Sequence, residues 1–376
     1  MNLGVIGYGL RIRTIIAEII KQEPSCRVTA IVDVRKDEIR EELQAQGMDS
    51  IHYYDTAEEM LGAESLDGIL IGTRCSLHTP MALKVLQSGI PLYLEKPVST
   101  TMEDLRRLKA GFEASISKVV VSFPLKLTTI VQLAKEIIDS GKIGTVENVQ
   151  AVNNVPYGGV YYQSWYRDEQ ETGGLFLQKA THDFDYINSL LGIKPTEIGA
   201  MTSKQIFKGT RPAGLKCVNC EDNRVCPDST AFNKDRWRSW EYCCYAEDTG
   251  NEDSGSSLIR YESGMHVSYS QNFFARREAA ARGARLLGYK GTLEFDFYTG
   301  KVNVFMHHTP RVETYDISGG EGHFGGDSTL AQNFVAIMQN GAESLSPLED
   351  GLLSALMCLK AKESAETGMF RSIDWA

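Results

Sequence analysis

Lys96 is the first residue of this chain whose surroundings point to chemistry. It stands in Leu92-Tyr93-Leu94-Glu95-Lys96-Pro97-Val98, three apolar residues that run into a charged pair and a proline. Proline has no N–H for a ladder and steers its predecessor away from helix, so a buried strand is expected to stop here. Glu95 and Lys96 then lie at the carboxyl end of a strand, the edge where open α/β sheets bind ligands. A lysine held there with a lowered pKa suits proton transfer or the orientation of a hydroxyl. Taken alone, the pair reads more simply as a surface ion pair closing a strand.

A second run, from Gly173 to Tyr186, carries Lys179, His182 and Asp185 at intervals of three. Ala180, Phe184, Ile187 and Leu191 form the apolar stripe of the same expected helix. A cation at Lys179 would lower the pKa of His182 and keep its imidazole neutral. A neutral imidazole can take the proton of a secondary alcohol. Between these runs Tyr157-Gly158-Gly159 and Tyr161 to Arg167 make an aromatic loop. Tyr162, Trp165 and Arg167 there could stack on and hydrogen-bond a sugar or cyclitol ring, or could simply pack between domains. His323, in His323-Phe324-Gly325-Gly326-Asp327, is a further candidate for that cleft. Cys217, Cys220 and Cys226, with Cys243 and Cys244 downstream, supply enough thiolates for a tetrahedral structural zinc site. The set taken here is Cys217, Cys220, Cys226 and Cys244. An iron–sulfur cluster or unpaired thiols fit the same spacing.

The elements that must position these residues are legible in order. Leu3-Gly4-Val5-Ile6 reads as a buried strand, Gly7-Tyr8-Gly9 as the turn after it, and Ile12, Ile15, Ile16, Ile19 and Ile20 as one face of a helix. Strand, glycine turn and helix form the context of a dinucleotide fingerprint, whose glycines let backbone approach a pyrophosphate at the helix N-terminus. Gly7, Tyr8, Gly9 and Leu10 would line it. Ile12 takes the place of the third glycine, which predicts a slightly wider helix–strand spacing. Val28–Val32 is the second strand and ends on Asp33, placed to accept from adenosine ribose hydroxyls and to repel a 2′-phosphate. NAD is therefore expected over NADP. Thr56–Glu59 is a capping box, and Gly68–Ile71, Leu92–Leu94 and Val119–Val121 are further strands alternating with helices. The alternation predicts a doubly wound parallel sheet ending near residue 122. From residue 123 to 376, strands broken by Gly264, Gly288, Gly291 and Gly300 predict antiparallel pairing. Two helices close the chain, and residues 207–254 read as a cysteine-rich insertion with little core of its own.

The bulk numbers set outer bounds. A chain of 376 residues is long for one core and suggests two domains. A net charge of −10 argues against nucleic acid and anionic membranes as partners. No apolar run reaches a bilayer-spanning length. The N-terminus shows no basic region or cleavage site, so a cytoplasmic location is expected, with its cysteines as thiols or metal ligands.

Gly7-Tyr8-Gly9, Asp33, Thr73 to His78 and Glu95-Lys96-Pro97 occur in the order and spacing of the Gfo/Idh/MocA oxidoreductases, which the chain resembles over its whole length. The resemblance implies an N-terminal Rossmann domain and a C-terminal α/β domain with a large open, mainly antiparallel sheet. It implies NAD contacts at Thr73, His78, Glu95 and Lys96, and homo-oligomers, dimeric or tetrameric, through that sheet. Segment 173–186 resembles the family's Gly-Gly…Asp-x-Gly-x-His-x-x-Asp run. His182 and Asp185 match it, while Gln178 stands where the family often has its catalytic aspartate, and Arg74 and Cys75 replace a usual proline and asparagine. The expected activity is hydride transfer between NAD and a secondary hydroxyl of a sugar, sugar derivative or cyclitol. Lys96 would orient the hydroxyl, His182 take its proton, and Lys179 and Asp185 tune His182. Two other readings share these residues: a glycosidase or lyase that oxidises the sugar transiently, and a non-catalytic NAD- and sugar-binding regulator. Retention of Lys96 and His182 counts against the regulator.

Overall fold

The computed structural model describes residues 1–232, 240–317 and 321–375; residues 233–239 of the cysteine-rich insertion lie outside the described residues. Strands β1 (Asn2–Ile6), β2 (Arg27–Val32), β3 (His52–Tyr54), β4 (Gly68–Ile71), β5 (Leu92–Leu94) and β6 (Val119–Val121) form a parallel sheet. Its order is β3-β2-β1-β4-β5-β6, with the direction of winding reversing between β1 and β4. Every residue of β4, β5 and β6 is buried, as expected for strands covered on both faces. The crevice outside the carboxyl ends, at the β1/β4 switch point, is where Gly7, Asp33, Thr73, Glu95 and Lys96 all arrive.

The second sheet has nine strands in the order β14-β13-β12-β11-β7-β10-β9-β8-β15. These are β7 (Val146–Asn154), β8 (Pro195–Ser203), β9 (Ser254–Tyr261), β10 (His266–Asn272), β11 (Ala281–Gly288), β12 (Gly291–Asp296), β13 (Lys301–Met306), β14 (Val312–Asp316) and β15 (Arg371–Ser372). Pairing is antiparallel as expected, except that β10 runs parallel to β7, with Val267 opposite Val149. The hairpin β9–β10 inserts beside the first strand of the domain, and neighbour-to-neighbour reasoning could not see that. Burial alternates strictly along β9, so one face is wet.

Two late helices tie this sheet to the first one. Helix Leu348–Thr367 buries Leu352, Ala355, Leu356 and Leu359 in a core that also contains Leu94 and Val121 of the parallel sheet and Phe184 and Val149 of the second half. Helix Gly326–Asn340 turns back onto the first half, and its Leu330, Phe334 and Ile337 share a core with Ile12, Ile15 and Ile19 of helix Leu10–Gln22. Among the described residues no helix is long and apolar enough to cross a membrane.

Candidate functional site

The glycine turn is shaped for close approach. Gly7 has φ +83°, and a Cβ there would lie 2.6 Å from the Thr73 amide nitrogen, so only glycine fits. Gly9 precedes the first turn of helix Leu10–Gln22 and presents that helix's N-terminal amides to the crevice. Ile12 does not push the helix away as expected. It is fully buried against Gly72, where a Cβ would come 1.9 Å from Ile12 Cγ1, so the close packing usual for the third fingerprint glycine is met from β4's side. Asp33 accepts from the Tyr8 amide at 2.8 Å through Oδ2 and from the Arg35 amide at 2.8 Å through Oδ1. A carboxylate has about four acceptor positions, which leaves room for ribose hydroxyls. Tyr8 is buried beneath Arg13, while Leu10 is exposed over the turn. The residues present therefore fit a dinucleotide.

His78 does not face the crevice. Its buried ring lies with Nδ1 2.7 Å from the Pro97 carbonyl oxygen and Nε2 3.2 Å from that of Thr73. It pins the two loops that border the crevice, and burial lowers its pKa. Glu95 is buried and pairs with Arg11 Nε at 3.1 Å. Arg11 makes two bonds of 2.6 Å to Asp327, which also lies 3.0 Å from His323 Nδ1. One polar chain thus joins the cofactor helix, the Glu95-Lys96 edge and the start of helix Gly326–Asn340.

Lys96 Nζ donates to the backbone oxygen of Gln178 at 2.9 Å. Burial, and then the charge of Lys179, push its pKa down to about 8. The Gln178 carboxamide turns away, donating to the Thr172 carbonyl at 2.8 Å and toward Cys75 Sγ. At the position of the family's aspartate, the group offered to Lys96 is thus a peptide oxygen. The turn Phe176–Ala180 is π-helical, one residue wider than an α-turn, and leads into helix Thr181–Leu191.

His182 is buried with Nδ1 unpartnered, its ring 5.6 Å from Phe123 and 6.0 Å from His323. Burial first, then Lys96, Arg282, His323 and Lys179, hold its pKa well below the ordinary value, which favours the neutral imidazole. Asp185 does not tune it. Asp185 lies 2.9 Å from Lys126, which also holds Asp350, and burial pushes its carboxyl up to about 7. Steps of three in a 3.6-residue helix drift by about 60° each, which carries Asp185 off the face of Lys179.

Tyr157 was not singled out by its sequence position. Its hydroxyl accepts from Lys179 Nζ at 2.5 Å, and the residue as a whole is 44% exposed. Burial tends to raise its pKa, but Lys179 and Arg282 bring it below the ordinary phenol value. Its signal in the chain was a place in the aromatic loop, three residues after the end of β7. Of the other aromatic-loop candidates, Trp165 stacks under the Arg74 guanidinium at 3.8 Å beside the Thr73 loop. Tyr162 is core: its hydroxyl donates to the Glu252 carbonyl at 2.7 Å and its ring packs on Phe207. Arg167 is buried and ion-paired with Asp248 of the insertion. Neither is presented to the cleft, because the insertion folds over that side of the loop and claims them.

The expected zinc ligands are not assembled. Among the described residues no group of three or more His, Cys, Asp or Glu side chains is placed to hold a metal ion. An antiparallel bridge between Lys216 and Tyr242 puts Cys217 and Cys243 on one side of a short ribbon. Cys243 accordingly senses Cys217, Cys220 and Cys226, and Cys244, although it also senses Cys217, Cys226 and Cys243, lies in an apolar cluster with Phe207, Tyr162 and Phe273. That cluster, and the Arg167–Asp248 pair, anchor the insertion.

Comparison with known proteins agrees with this architecture. Residues 1–123 match the family model described as the oxidoreductase family, NAD-binding Rossmann fold, and residues 131–294 match the GFO/IDH/MocA C-terminal domain. A Bacillus subtilis protein named "Putative oxidoreductase YteT" is 27% identical over 321 residues, 74% of each chain. The myo-inositol 2-dehydrogenase of Thermotoga maritima is 26% identical over 216 residues, 57% of this chain and 62% of that enzyme. Levoglucosan dehydrogenase, solved with NADH and levoglucosan, superposes with a TM-score of 0.79 over 99% of both chains at 17% identity, a likeness of fold.

Proposed function

The chain belongs to the Gfo/Idh/MocA oxidoreductase family, and from that premise we propose that it is an NAD-dependent dehydrogenase of a secondary hydroxyl on a sugar, sugar derivative or cyclitol. The observation that carries the reading is Lys96 at the carboxyl end of β5, bonded to the Gln178 carbonyl in the turn that leads into the His182 helix, close enough that its charge acts on the buried His182. NAD, when bound, supplies the hydride acceptor. Lys96 as an ammonium donates to the hydroxyl oxygen and orients it, and His182 accepts the hydroxyl proton through its free ring nitrogen. Burial of His182 excludes water from that transfer. Asp33 supports NAD over NADP through like-charge repulsion of a 2′-phosphate. Association of copies through the wet face of the nine-stranded sheet, where Met201 and Leu258 are exposed, is part of the same reading. So is a cytoplasmic location.

Initial rates and NAD titrations on Lys96→Met and His182→Ala test the assignment. Each should lower turnover by about two to four orders of magnitude with NAD affinity nearly unchanged. Full turnover in both variants removes these residues from the reaction. Accumulation of NADH in step with product, without recycling, separates net dehydrogenation from transient oxidation.

A further inference from the structure

Several buried or part-buried cations of this molecule are paired with carboxylates, while two that act on each other beside the crevice, Lys96 and Lys179, are not. Arg11 pairs with Glu95 and Asp327, Arg282 with Asp183 at 2.8 Å, and Lys126 with Asp185 and Asp350. Arg167 pairs with Asp248. Lys96 and Lys179 have no carboxylate partner among the described residues. Lys96 donates to a peptide oxygen, and Lys179, itself buried, donates to the Tyr157 hydroxyl. Glu95, the carboxylate adjacent to Lys96 in the chain, is engaged by Arg11. The two ammonium groups are close enough that Lys179 depresses Lys96.

Charge held out of water needs a counter-charge or it destabilises the fold. The other titratable groups around the pair do not provide one. His182 and His323 both have lowered pKa values, burial being the first cause for each, and so add no negative charge. Asp183 is committed to Arg282, Asn153 and Tyr269. Burial raises the Cys75 thiol, which acts on Lys96, and the Tyr161 phenol, whose ring lies 5.5 Å from Lys179, so both stay neutral; the phenol of Tyr157 differs, its pKa lowered by its cationic neighbours.

We infer that the substrate of this site is an anionic monosaccharide derivative, whose carboxylate or phosphate group lies against Lys179 and Tyr157 while a secondary hydroxyl meets Lys96 and His182. The inference rests on the dehydrogenase reading for the second contact and on the unpaired charges for the first. A neutral polyol would leave both ammonium groups uncompensated. An anionic group bonded to Lys179 would supply a charge-assisted hydrogen bond in a partly dry cleft. The Tyr157 hydroxyl, relieved of its bond from Lys179, would turn to donate to the same group.

The test compares matched pairs on the NAD-loaded protein: D-galacturonate with D-galactose, D-glucuronate with D-glucose, and glucose 6-phosphate with glucose. Binding is read by titration calorimetry and turnover by NADH absorbance. An anionic member should bind about ten- to a hundredfold more tightly than its neutral partner. Lys179→Met should abolish that preference, bringing the anionic member's constant to within about twofold of its neutral partner's measured in the same variant. Whether the uronates or the phosphate win identifies the source of the charge. Equal binding of acid and neutral sugar, a preference that survives Lys179→Met, or no binding by any anionic probe overturns the inference. Reduction of NAD by the neutral sugars alone would do so while leaving the dehydrogenase reading intact. Tight anion binding with no hydride transfer from any probe would do the reverse.

Discussion

Asp327→Asn perturbs the ion pair that fastens helix Gly326–Asn340 to helix Leu10–Gln22. Arg11 donates to both Asp327 oxygens at 2.6 Å, with the aspartate side chain 2% and the arginine 29% exposed. Burial works to raise the Asp327 pKa, but the hydrogen bonds from Arg11 and His323 and the charge of Arg11 overcome it and hold the carboxyl far below its ordinary value. Removing one partner of a buried pair costs about 3–5 kcal/mol. Asparagine keeps one acceptor and Arg11 keeps Glu95, so a loss of roughly 2–3 kcal/mol is expected, somewhat below that range. Urea denaturation at pH 7 measures it. The sign of its pH dependence follows from linkage. A depressed carboxylate contributes stability that is fully present above the unfolded value of about 3.9 and is lost as pH falls below it toward the folded value. The gap between wild type and Asp327→Asn should therefore be full at pH 7 and narrow below about pH 4. In a cycle with Arg11→Met, most of the loss should appear as coupling. A gap under about 0.5 kcal/mol, the size of an ordinary surface substitution, or one that stays constant to pH 3, would refute the reasoning.

Gly72→Ala should destabilise by about 1–3 kcal/mol through the clash with Ile12, and Ile12→Ala should recover part of it; strictly additive losses in thermal unfolding would show that the two do not share space. Titration calorimetry should show NAD bound more tightly than NADP, with Asp33→Ala narrowing the gap; an unchanged ratio in the variant would take Asp33 out of the discrimination. Lys179→Ala should move the acidic limb of the pH–rate profile to higher pH. It removes one cation that holds His182 down, and a raised imidazole pKa delays the neutral form; a shift toward acid would contradict this sign. Because burial and Lys96 rank above Lys179 among the causes, the shift should be smaller than the one produced by Lys96→Met.

The sequence by itself determined five strands of the first sheet to within a residue at each end, missing the short β3, together with the glycine turn and the strand end at Pro97. Each of those signals acts over a few residues: a buried apolar run, a φ open only to glycine, a missing N–H. It also singled out Lys96, Lys179 and His182 as candidates, and the fold places all three within reach of one another's charge. What it could not carry was the identity of their partners. The π-turn at Phe176–Ala180 gave Lys96 a peptide oxygen and turned Gln178 aside, and helical drift sent Asp185 to Lys126. Side-chain alternation in a ribbon formed by residues far apart in the chain put Cys243 with the other thiols and Cys244 in an apolar cluster. Tyr162 and Arg167 looked like ligand contacts until the insertion covered them. Arg11 and Asp327 are 316 positions apart, a distance over which no local propensity acts. Charge pairing is settled by which groups the packed chain brings within a few ångströms, so only the tertiary structure could show which carboxylates were taken and that Lys96 and Lys179 were left without one.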